Sequence, residues 1–275
     1  MEYKLSEASY LAFSAFLHQK LGILLGGNRQ YLVRSRLSAI ARNRQFSDFD
    51  KFIKVVISAT DRALTDACLE LMTTNETFWF RDEYPYALLN NELLSNLQKT
   101  QNKLRIWSSA CSSGQEPYSI AMTLASFKAA NPGAFSAGIE IVATDYSAKM
   151  INAASAGIYD ELALNRGLPN HYRQKFFTPI DSKSMQIAPD IKKLVKFQRF
   201  NLLKDYSALG KFDIIFCRNV LIYFDGNQKN QILKKLAACL VQNGILFLGA
   251  AESISGSETI YSMTSRPVGL YYSKK

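Results

Sequence analysis

Short β-rich runs alternate with helical patterns from about residue 103 to the end of the sequence. The strand-like runs are KLRIWSSA, GIEIVATD, LVKFQRFN, KFDIIFCRN, GILFLGAAE and VGLYYSKK. Parallel strands cannot be joined by a tight hairpin and need a crossover connection, which is usually a helix. The alternation therefore predicts βαβ units and an α/β fold with a mostly parallel sheet.

The residues before this region carry only helical patterns. In SEASYLAFSAFLHQKLGI, apolar residues recur at three- and four-residue spacing, as they do on the buried face of a helix. Ser6 is the expected N-cap of this first helix, and the GG pair at 26–27 is its expected end. Further helices are predicted in RQYLVRSRLSAIARNR, in SDFDKFIKVVIS with Ser47 or Asp48 as the cap, and in DRALTDACLELM.

These patterns divide the chain into three parts. We predict an all-helical domain over residues 1–72, a linker over 73–90 and the α/β domain over 91–275. Residues 157–195 lack a clear period and contain three prolines. We expect this stretch to be an insertion that lies outside the main sheet.

The composition limits the class of protein. With 275 residues, 48% of them hydrophobic, the chain can bury a substantial core. It contains no apolar run of about 18 residues, so we expect no membrane insertion. The first residues include acids where a secretory signal has basic residues, so we expect a cytoplasmic protein. The net charge of +10 favours acidic partners, whether nucleic acid, an anionic membrane surface or a carboxylate-rich protein.

The cysteines and histidines argue against two further kinds of site. Only two histidines are present, so we expect neither a histidine-rich metal site nor a Ser-His-Asp triad, and no bound metal. The cysteines show no C-x-x-C pairing and are predicted to be buried, reduced thiols: Cys68, Cys111, Cys217 and Cys239.

The turn after the first predicted strand reads ACSSGQEP. Open parallel sheets bind ligands at the carboxyl ends of their strands. The small residues here would let a ligand approach the backbone closely: Ala110, Ser112, Ser113 and Gly114. The glycine fingerprint of dinucleotide sites is absent. Glu116 begins the next helix instead, and its charge repels phosphate but suits a ligand with hydroxyl groups or a positive charge.

Other polar residues follow the later strands. Asp145 ends the second strand, where α/β nucleotide sites place a ribose-binding carboxylate. A simple helix cap is the alternative for Asp145, although the preceding turn favours the ribose role. Asn201 and Asn219 can each donate a hydrogen bond to a ligand and accept one from it. Arg218 is a cation that would need a partner if buried. Tyr223, taken alone, is best interpreted as a core aromatic.

Five motifs of the sequence occur in the order found in one family. MTTNETFWFRD, WSSACSSGQEPYSIAM, IVATDYS, FNLL and FDIIFCRNVLIYFD resemble the motifs of CheR-type chemotaxis receptor glutamate O-methyltransferases. The resemblance spans essentially the whole chain. It implies a class I S-adenosylmethionine-dependent methyltransferase fold, which is Rossmann-like with a mostly parallel seven-stranded sheet and an antiparallel last strand pair. It also implies an all-α N-terminal domain and a small β-subdomain at 157–195.

The resemblance further implies an activity and a set of site residues. Family members transfer a methyl group from S-adenosyl-L-methionine to glutamates in the cytoplasmic helical bundle of chemoreceptors, which gives methyl esters and S-adenosyl-L-homocysteine. Arg81 and Tyr223 are the implied catalytic residues. The implied cofactor contacts are Asn75, Thr77, Arg81, Glu116, Asp145, Asn201, Leu202, Arg218 and Asn219.

The chemistry of the substrate fits this assignment. A glutamate side chain is already ionised at pH 7, so the reaction requires no general base. The carboxylate oxygen, the methyl carbon and the sulfur must instead be held in line. Positioning in a desolvated site is therefore expected to account for most of the catalysis.

Two regions outside the motifs concern the substrate. The second predicted helix places Arg34 and Arg42 on a face opposite Val33 and Ile40. A solvated face is one interpretation, and the resemblance implies a docking surface for the acidic methylation region of a receptor. In the insertion, FFTPIDSKSMQIAPDIKKL lacks the glycine of the loop that grips a receptor C-terminal peptide in some members. We therefore predict independence from that pentapeptide.

Two other functions fit parts of the sequence. The charge would suit a nucleic-acid methyltransferase, but CRNV stands where amino-group methyltransferases carry Asn/Asp-Pro-Pro-Tyr/Phe. A non-catalytic adaptor that senses S-adenosylmethionine would keep Asp145 and Glu116 yet transfer nothing. We favour a monomeric enzyme whose partner is a chemoreceptor and not a nucleic acid.

Overall fold

The computed structural model describes residues 3–99 and 103–275. The chain forms two compact units. One contains the chain up to Thr74 together with Tyr223–Gln228, and the other contains Asn75–Ile222 and Lys229–Lys275. The first unit is called the helical unit below, and the second is called the α/β unit.

Four helices make up most of the helical unit. Three of them begin at side chains that accept a backbone N–H in the first turn, namely Ser6, Asp48 and Asp61. The caps predicted at Ser6 and Asp48 are thereby confirmed. The helices are α1 (Glu7–Leu21), α2 (Gln30–Asn43), α3 (Phe49–Ser58) and α4 (Arg62–Met72).

The predicted end of the first helix was wrong. Helix α1 stops at Leu21, because Gly22 adopts the left-handed conformation with φ of 75° and donates its N–H to the His18 carbonyl. A Cβ at this glycine would lie 2.4 Å from the Phe224 ring, so close packing excludes a side chain there as well. The GG pair at 26–27 lies in the connection that follows.

The short segment 223–228 belongs to the helical unit, which the sequence did not predict. The imidazole Nε2 of His18 lies 2.9 Å from Oδ2 of Asp225. The N–H of Leu24 donates to the carbonyl of Tyr223 at 3.3 Å, and the Phe224 side chain is buried. These contacts fix the segment to α1 and to the connection after it.

The α/β unit contains ten strands and eight α-helices among its described residues. The strands are β1 (Leu104–Ser109), β2 (Ile139–Asp145), β3 (Ile158–Asp160), β4 (Phe177–Pro179), β5 (Ser184–Ile187), β6 (Val195–Arg199), β7 (Phe212–Cys217), β8 (Leu240–Leu248), β9 (Tyr261–Arg266) and β10 (Gly269–Lys274). The helices are α5 (Tyr84–Leu88), α6 (Leu94–Leu97), α7 (Gln115–Ala130), α8 (Ala148–Ala156), α9 (Glu161–Asn165), α10 (Asn170–Phe176), α11 (Pro189–Lys192) and α12 (Gly226–Cys239), the last of which starts in segment 223–228.

Seven strands form one sheet in the order β6-β2-β1-β7-β8-β10-β9. The pairs from β6 to β8 are parallel, whereas β10 is antiparallel to both β8 and β9. Adjacent residues of β1, such as Ile106 and Trp107, are both fully buried, as expected for a sheet covered on its two faces. The mostly parallel seven-stranded sheet with an antiparallel last pair confirms the predicted fold class.

The pattern-based prediction found six of these seven strands and missed β9. This strand lies at the sheet edge, and Tyr261 is its only buried residue. A polar edge strand lacks the apolar run by which the other strands were predicted. A π-helical turn at Leu89–Leu93, which joins α5 to α6 into one longer helix, was missed as well.

A second sheet lies within the predicted insertion. Its three antiparallel strands have the order β3-β5-β4. Strand β6 of the large sheet begins at Val195. The last residue of the predicted insertion therefore lies in the main sheet.

Two further findings bear on the class of protein. All four cysteines are free and buried, as predicted. Within residues 3–99 and 103–275, the helices are all too short or too polar to span a membrane.

Candidate functional site

The candidate site lies at the carboxyl ends of β1 and β7. These two strands are neighbours, but the chain continues from β1 to β2 on one side and from β7 to β8 on the other. Connections that diverge in this way leave a crevice, and open α/β sheets bind ligands at such a switch point. The turns after β1, β2 and β7 are therefore expected to carry the binding residues.

The turn after β1 follows an irregular backbone path. Ala110 and Ser112 have positive φ angles of 58° and 49°, and Gly114 has φ of 96°. A Cβ at Gly114 would lie 2.9 Å from the Cβ of Ala154 and 3.0 Å from the Tyr159 hydroxyl. The glycine is therefore required by its φ angle and by packing within the protein. The predicted approach of a ligand to this backbone stays a prediction.

Asp145 joins this turn to the end of β2. Its Oδ2 accepts the Ser112 N–H at 2.8 Å, and its Oδ1 accepts the Ser147 N–H at 2.9 Å. Ser147, and not Asp145, is the N-cap of α8. The alternative interpretation of Asp145 as a mere helix cap was therefore wrong. Hydrogen bonds to both carboxylate oxygens fix the orientation of this side chain at the end of β2.

A second cluster centres on Arg218, directly after β7. Its Nη1 lies 3.0 Å from Oε2 of Glu116, and its Nη2 lies 2.7 Å from Oδ2 of Asp82. The same Nη2 donates to the carbonyl of Arg81 at 2.7 Å. The other oxygen of Glu116 accepts the hydroxyl of Ser108 at 2.8 Å. We call Arg218, Glu116 and Asp82 the buried ionic cluster.

Burial decides the electrostatics of this cluster. The Arg218 side chain is 1% exposed and that of Glu116 is 13% exposed. Burial raises the pKa of the Glu116 carboxyl, against the opposing effect of the Arg218 guanidinium. Burial also disfavours the charge on Arg218, but Tyr86, Glu116 and Asp82 together raise the pKa of its guanidinium. Arg218 therefore stays charged, and removing it would leave Glu116 without its compensating cation.

The cluster also fixes the strained loop that carries Arg81. Phe80, Asp82 and Glu83 all have positive φ angles, of 49°, 65° and 47°. Such conformations cost about 1–3 kcal/mol each in a residue with a side chain and persist only where the surroundings impose them. Here the Phe80 N–H donates to Ser119 Oγ at 3.1 Å, and Arg218 holds both the carbonyl of Arg81 and the side chain of Asp82.

The structure brings two other predicted residues, Asn75 and Arg81, to the same edge. The carbonyl of Asn75 accepts the Ser112 hydroxyl at 2.7 Å, and the Arg81 guanidinium lies 5.2 Å from the centre of the Phe78 ring. Thr77 is half-buried. After β6, the Asn201 side chain accepts the Leu203 N–H and Leu202 is buried. The predicted cofactor contacts of these two residues stay predictions.

Three predicted residues belong to the helical unit instead. Tyr223 lies in segment 223–228. Arg34 and Arg42 lie on α2. The predicted roles of Tyr223 beside the reacting centre and of both arginines in docking stay predictions.

Sequence reasoning missed Asp82 and Glu252, and it missed the bond that the Ser112 N–H donates to Asp145. Asp82 lies inside the motif NETFWFRD, so its place in a motif was a signal that could have found it. Ser112 acts through its backbone N–H, to which the side-chain type gives no clue. Glu252 follows β8, and its carboxylate accepts four backbone N–H groups, one each from Asn219, Gly249, Leu221 and Ile222.

The donor set fits S-adenosylmethionine. This cofactor carries ribose hydroxyls and a positively charged sulfur, but no phosphate. The site offers Asp145 and Glu116 as acceptors, and the helix that follows the turn begins with the acidic side chain of Glu116. A phosphate at this helix start would be repelled by that carboxylate, whereas hydroxyl groups can donate hydrogen bonds to it.

Known proteins match this chain over nearly its whole length. The CheR methyltransferase all-alpha domain matches residues 8–73, and the CheR methyltransferase S-adenosylmethionine-binding domain matches residues 75–270. Chemotaxis protein methyltransferase 1 of Vibrio cholerae is 44% identical over 271 residues, which cover 98% of either chain. The protein of the same name from Pseudomonas aeruginosa is 42% identical over 98% of this chain and 99% of its own. The Escherichia coli chemotaxis protein methyltransferase is 31% identical over 96% of this chain and 91% of its own.

The fold and the site define a class I S-adenosylmethionine-dependent methyltransferase. The full-length matches narrow that class. The chain belongs to the CheR methyltransferase family, and it is an S-adenosylmethionine-dependent protein-glutamate O-methyltransferase.

Proposed function

We propose that this enzyme methylates glutamate side chains in the cytoplasmic helical bundle of chemoreceptors, which gives methyl esters and S-adenosylhomocysteine. The similarity to proteins named chemotaxis protein methyltransferases supports this substrate. The proposal places the enzyme in the cytoplasm and has it act as a monomer during sensory adaptation.

The observation that carries the chemistry is the acidic character of the switch point. Asp145 and Glu116 present carboxylates where a phosphate-binding fold would present glycines and backbone N–H groups. Bound S-adenosylmethionine supplies a methyl group on a positively charged sulfur. We assign Asp145 the hydrogen bonds from the ribose hydroxyls of the cofactor. We assign Glu116 the hydrogen bonds from polar groups of the cofactor that lie nearer the turn after β1.

The remaining assignments follow from the charge of the substrate. A glutamate substrate is ionised at pH 7, so the chain needs to orient a carboxylate and exclude water, and needs no base. Arg81 carries a guanidinium on a strained, anchored loop, and such a group binds carboxylates with defined geometry. We assign the Tyr223 hydroxyl a hydrogen bond to the reacting groups.

Transfer of labelled methyl groups to receptor-containing membranes tests the proposal. We expect label that mild base releases, because esters are hydrolysed by base. Label in RNA would favour the nucleic-acid methyltransferase. The absence of any transfer by folded, cofactor-binding protein would favour the adaptor.

The docking proposal rests on the arginines of α2. Nη1 of Arg34 donates to the carbonyl of Tyr3 at 3.1 Å, and Arg36 donates to the carbonyls of Met72 and Thr73. Arg42 is exposed near the end of the helix. A substitution at Arg34 would therefore also break a contact within the protein, so Arg42 gives the cleaner test.

We expect Arg42→Glu to raise the KM for receptor about five- to tenfold, because reversing a charge at the rim of an interface weakens encounter with an acidic partner. The affinity for S-adenosylhomocysteine should not change. Lys54→Glu, with the same charge change at an exposed position of α3, is the matched control and should leave the KM unchanged. Equal KM values for Arg42→Glu and the wild type would contradict the docking proposal.

Independence from the receptor pentapeptide is a separate proposal. Strands β4 and β5 form a hairpin whose connection, residues 180–183, reads IDSK and contains no glycine. We expect titration calorimetry to show no binding of the receptor's C-terminal pentapeptide. A receptor that lacks these five residues should be methylated at the same rate. Clear binding, or slower methylation of the shortened receptor, would overturn the proposal.

A further inference from the structure

Glu252 makes an unusual set of contacts at the edge of the candidate site. Its Oε2 accepts the N–H groups of Asn219 at 2.8 Å and Gly249 at 2.7 Å. Its Oε1 accepts the N–H groups of Leu221 at 2.6 Å and Ile222 at 3.3 Å. Four N–H donors match the full acceptor capacity of a carboxylate. One side chain therefore satisfies most of the backbone donors of the loop that follows β7.

That loop begins directly after the buried ionic cluster. Strands β7 and β8 pair side by side, with Cys217 opposite Leu248, so Glu252 joins the ends of two neighbouring strands. Asn219 has φ of 57°, a left-handed conformation that asparagine adopts more readily than most other residues with a side chain. Because hydrogen bonds to a charged acceptor are stronger than neutral ones, the carboxylate can hold the loop in this conformation.

Gly249 makes the arrangement possible. A Cβ at this position would lie 2.7 Å from Nδ2 of Asn219, 2.8 Å from Oε2 of Glu252 and 2.9 Å from the backbone N of Asn219. A side chain here would push the loop and the carboxylate apart. The glycine, the carboxylate and the loop therefore form one close-packed unit.

We propose that Glu252 is a positioning residue for the methyl transfer: it fixes the backbone of residues 219–222 and so places Asn219 against the cofactor. Glu252 acts through the loop and is not itself a catalytic residue. This inference rests on the proposed function, in which Asn219 is a cofactor contact. If it is correct, loosening the loop should impair cofactor binding and turnover beyond any effect on folding.

The test compares Glu252→Gln with the wild type. The amide keeps the size of the side chain but has one acceptor oxygen, so two of the four N–H donors lose their partner. We expect the dissociation constant for S-adenosylhomocysteine to rise about tenfold, as for the loss of one or two well-formed hydrogen bonds. We expect kcat with saturating receptor to fall by about the same factor, while circular dichroism shows the variant folded at the assay temperature.

Two further variants keep the inference open to refutation. Glu258→Gln makes the same chemical change at an exposed carboxylate that accepts the Gly256 N–H after the same strand, and it should change neither quantity. Gly249→Ala keeps the carboxylate but displaces the loop, and should reproduce the loss if Glu252→Gln does not fold. Wild-type affinity and kcat in a folded Glu252→Gln or Gly249→Ala variant would overturn the inference. If the wild type instead binds S-adenosylhomocysteine but does not methylate the receptor, the proposed function is refuted.

Discussion

Replacing Arg218 with methionine should lower the free energy of unfolding by about 3–5 kcal/mol, the usual cost of removing one partner from a buried ion pair. The methionine fills much of the space but leaves the Glu116 carboxylate buried without its cation. The loop that carries Arg81 also loses the bonds to its carbonyl and to Asp82. Urea unfolding followed by circular dichroism measures the loss.

A second substitution separates charge from packing. The double variant Arg218→Met with Glu116→Gln should recover much of the lost stability, because a neutral amide is far less costly to bury than an unpaired carboxylate. The double variant should not recover methyl transfer, since it changes Arg218 and Glu116, which are both proposed cofactor contacts. A double variant as unstable as Arg218→Met alone would contradict the electrostatic explanation.

The pH dependence of the Arg218→Met deficit has a definite sign. In the wild type, burial raises the pKa of Glu116, and Arg218 opposes that rise. Without Arg218 the folded-state pKa of Glu116 should rise further. A group whose folded pKa is raised contributes stability that is lost as pH rises through that pKa. The deficit relative to the wild type should therefore be larger at about pH 8 than at about pH 5.5, and a deficit that shrinks with rising pH would contradict the account.

The substitution Asp145→Asn should raise the dissociation constant for S-adenosylhomocysteine about 100-fold. Two hydroxyl groups bonded to one carboxylate contribute about 3 kcal/mol in total, and about 1.4 kcal/mol corresponds to a tenfold change. The amide also faces the N–H groups of Ser112 and Ser147, only one of which it can satisfy. Titration calorimetry gives the constant directly.

Asp213 provides a matched control for Asp145. It lies near the start of β7, at the opposite end of the sheet strands, and accepts the Arg105 N–H at 2.8 Å. Asp213→Asn is the same chemical change at a backbone-bonded aspartate and should leave the affinity for S-adenosylhomocysteine unchanged. Equal effects in the two variants would mean that Asp145 acts on folding and not on the ribose.

Local patterns explain why most of the fold could be predicted. Apolar runs followed by helical periods placed six strands of the large sheet, since both features depend on residues close together in sequence. The end of α1 was misplaced because the region has three glycines, and the sequence alone does not show which of them adopts the left-handed conformation that ends the helix. Strand β9 was missed because its pairing with β10, rather than an apolar run of its own, makes it a strand.

The residues of the site also divide into those that a local sequence pattern predicts and those that depend on long-range contacts. Asp145, Asn219 and Arg218 could be predicted as candidates because each follows or ends a strand that its own apolar run makes evident. The partners of Arg218 lie 102 and 136 residues away in sequence, at Glu116 and Asp82, so no local pattern could have paired them. Glu252 acts on backbone N–H groups, which every residue type except proline carries. Interactions of that kind become visible only when the chain is folded.

The most direct test of the account locates the transferred methyl group. Membranes that contain a chemoreceptor are incubated with the enzyme and S-adenosylmethionine that carries a deuterated methyl group, and receptor peptides are mapped by mass spectrometry before and after mild base. We predict label on glutamate side chains of the cytoplasmic helical bundle, and we predict that base removes it. Base-stable label on lysine or arginine side chains, or label in nucleic acid and not in the receptor, would contradict the account.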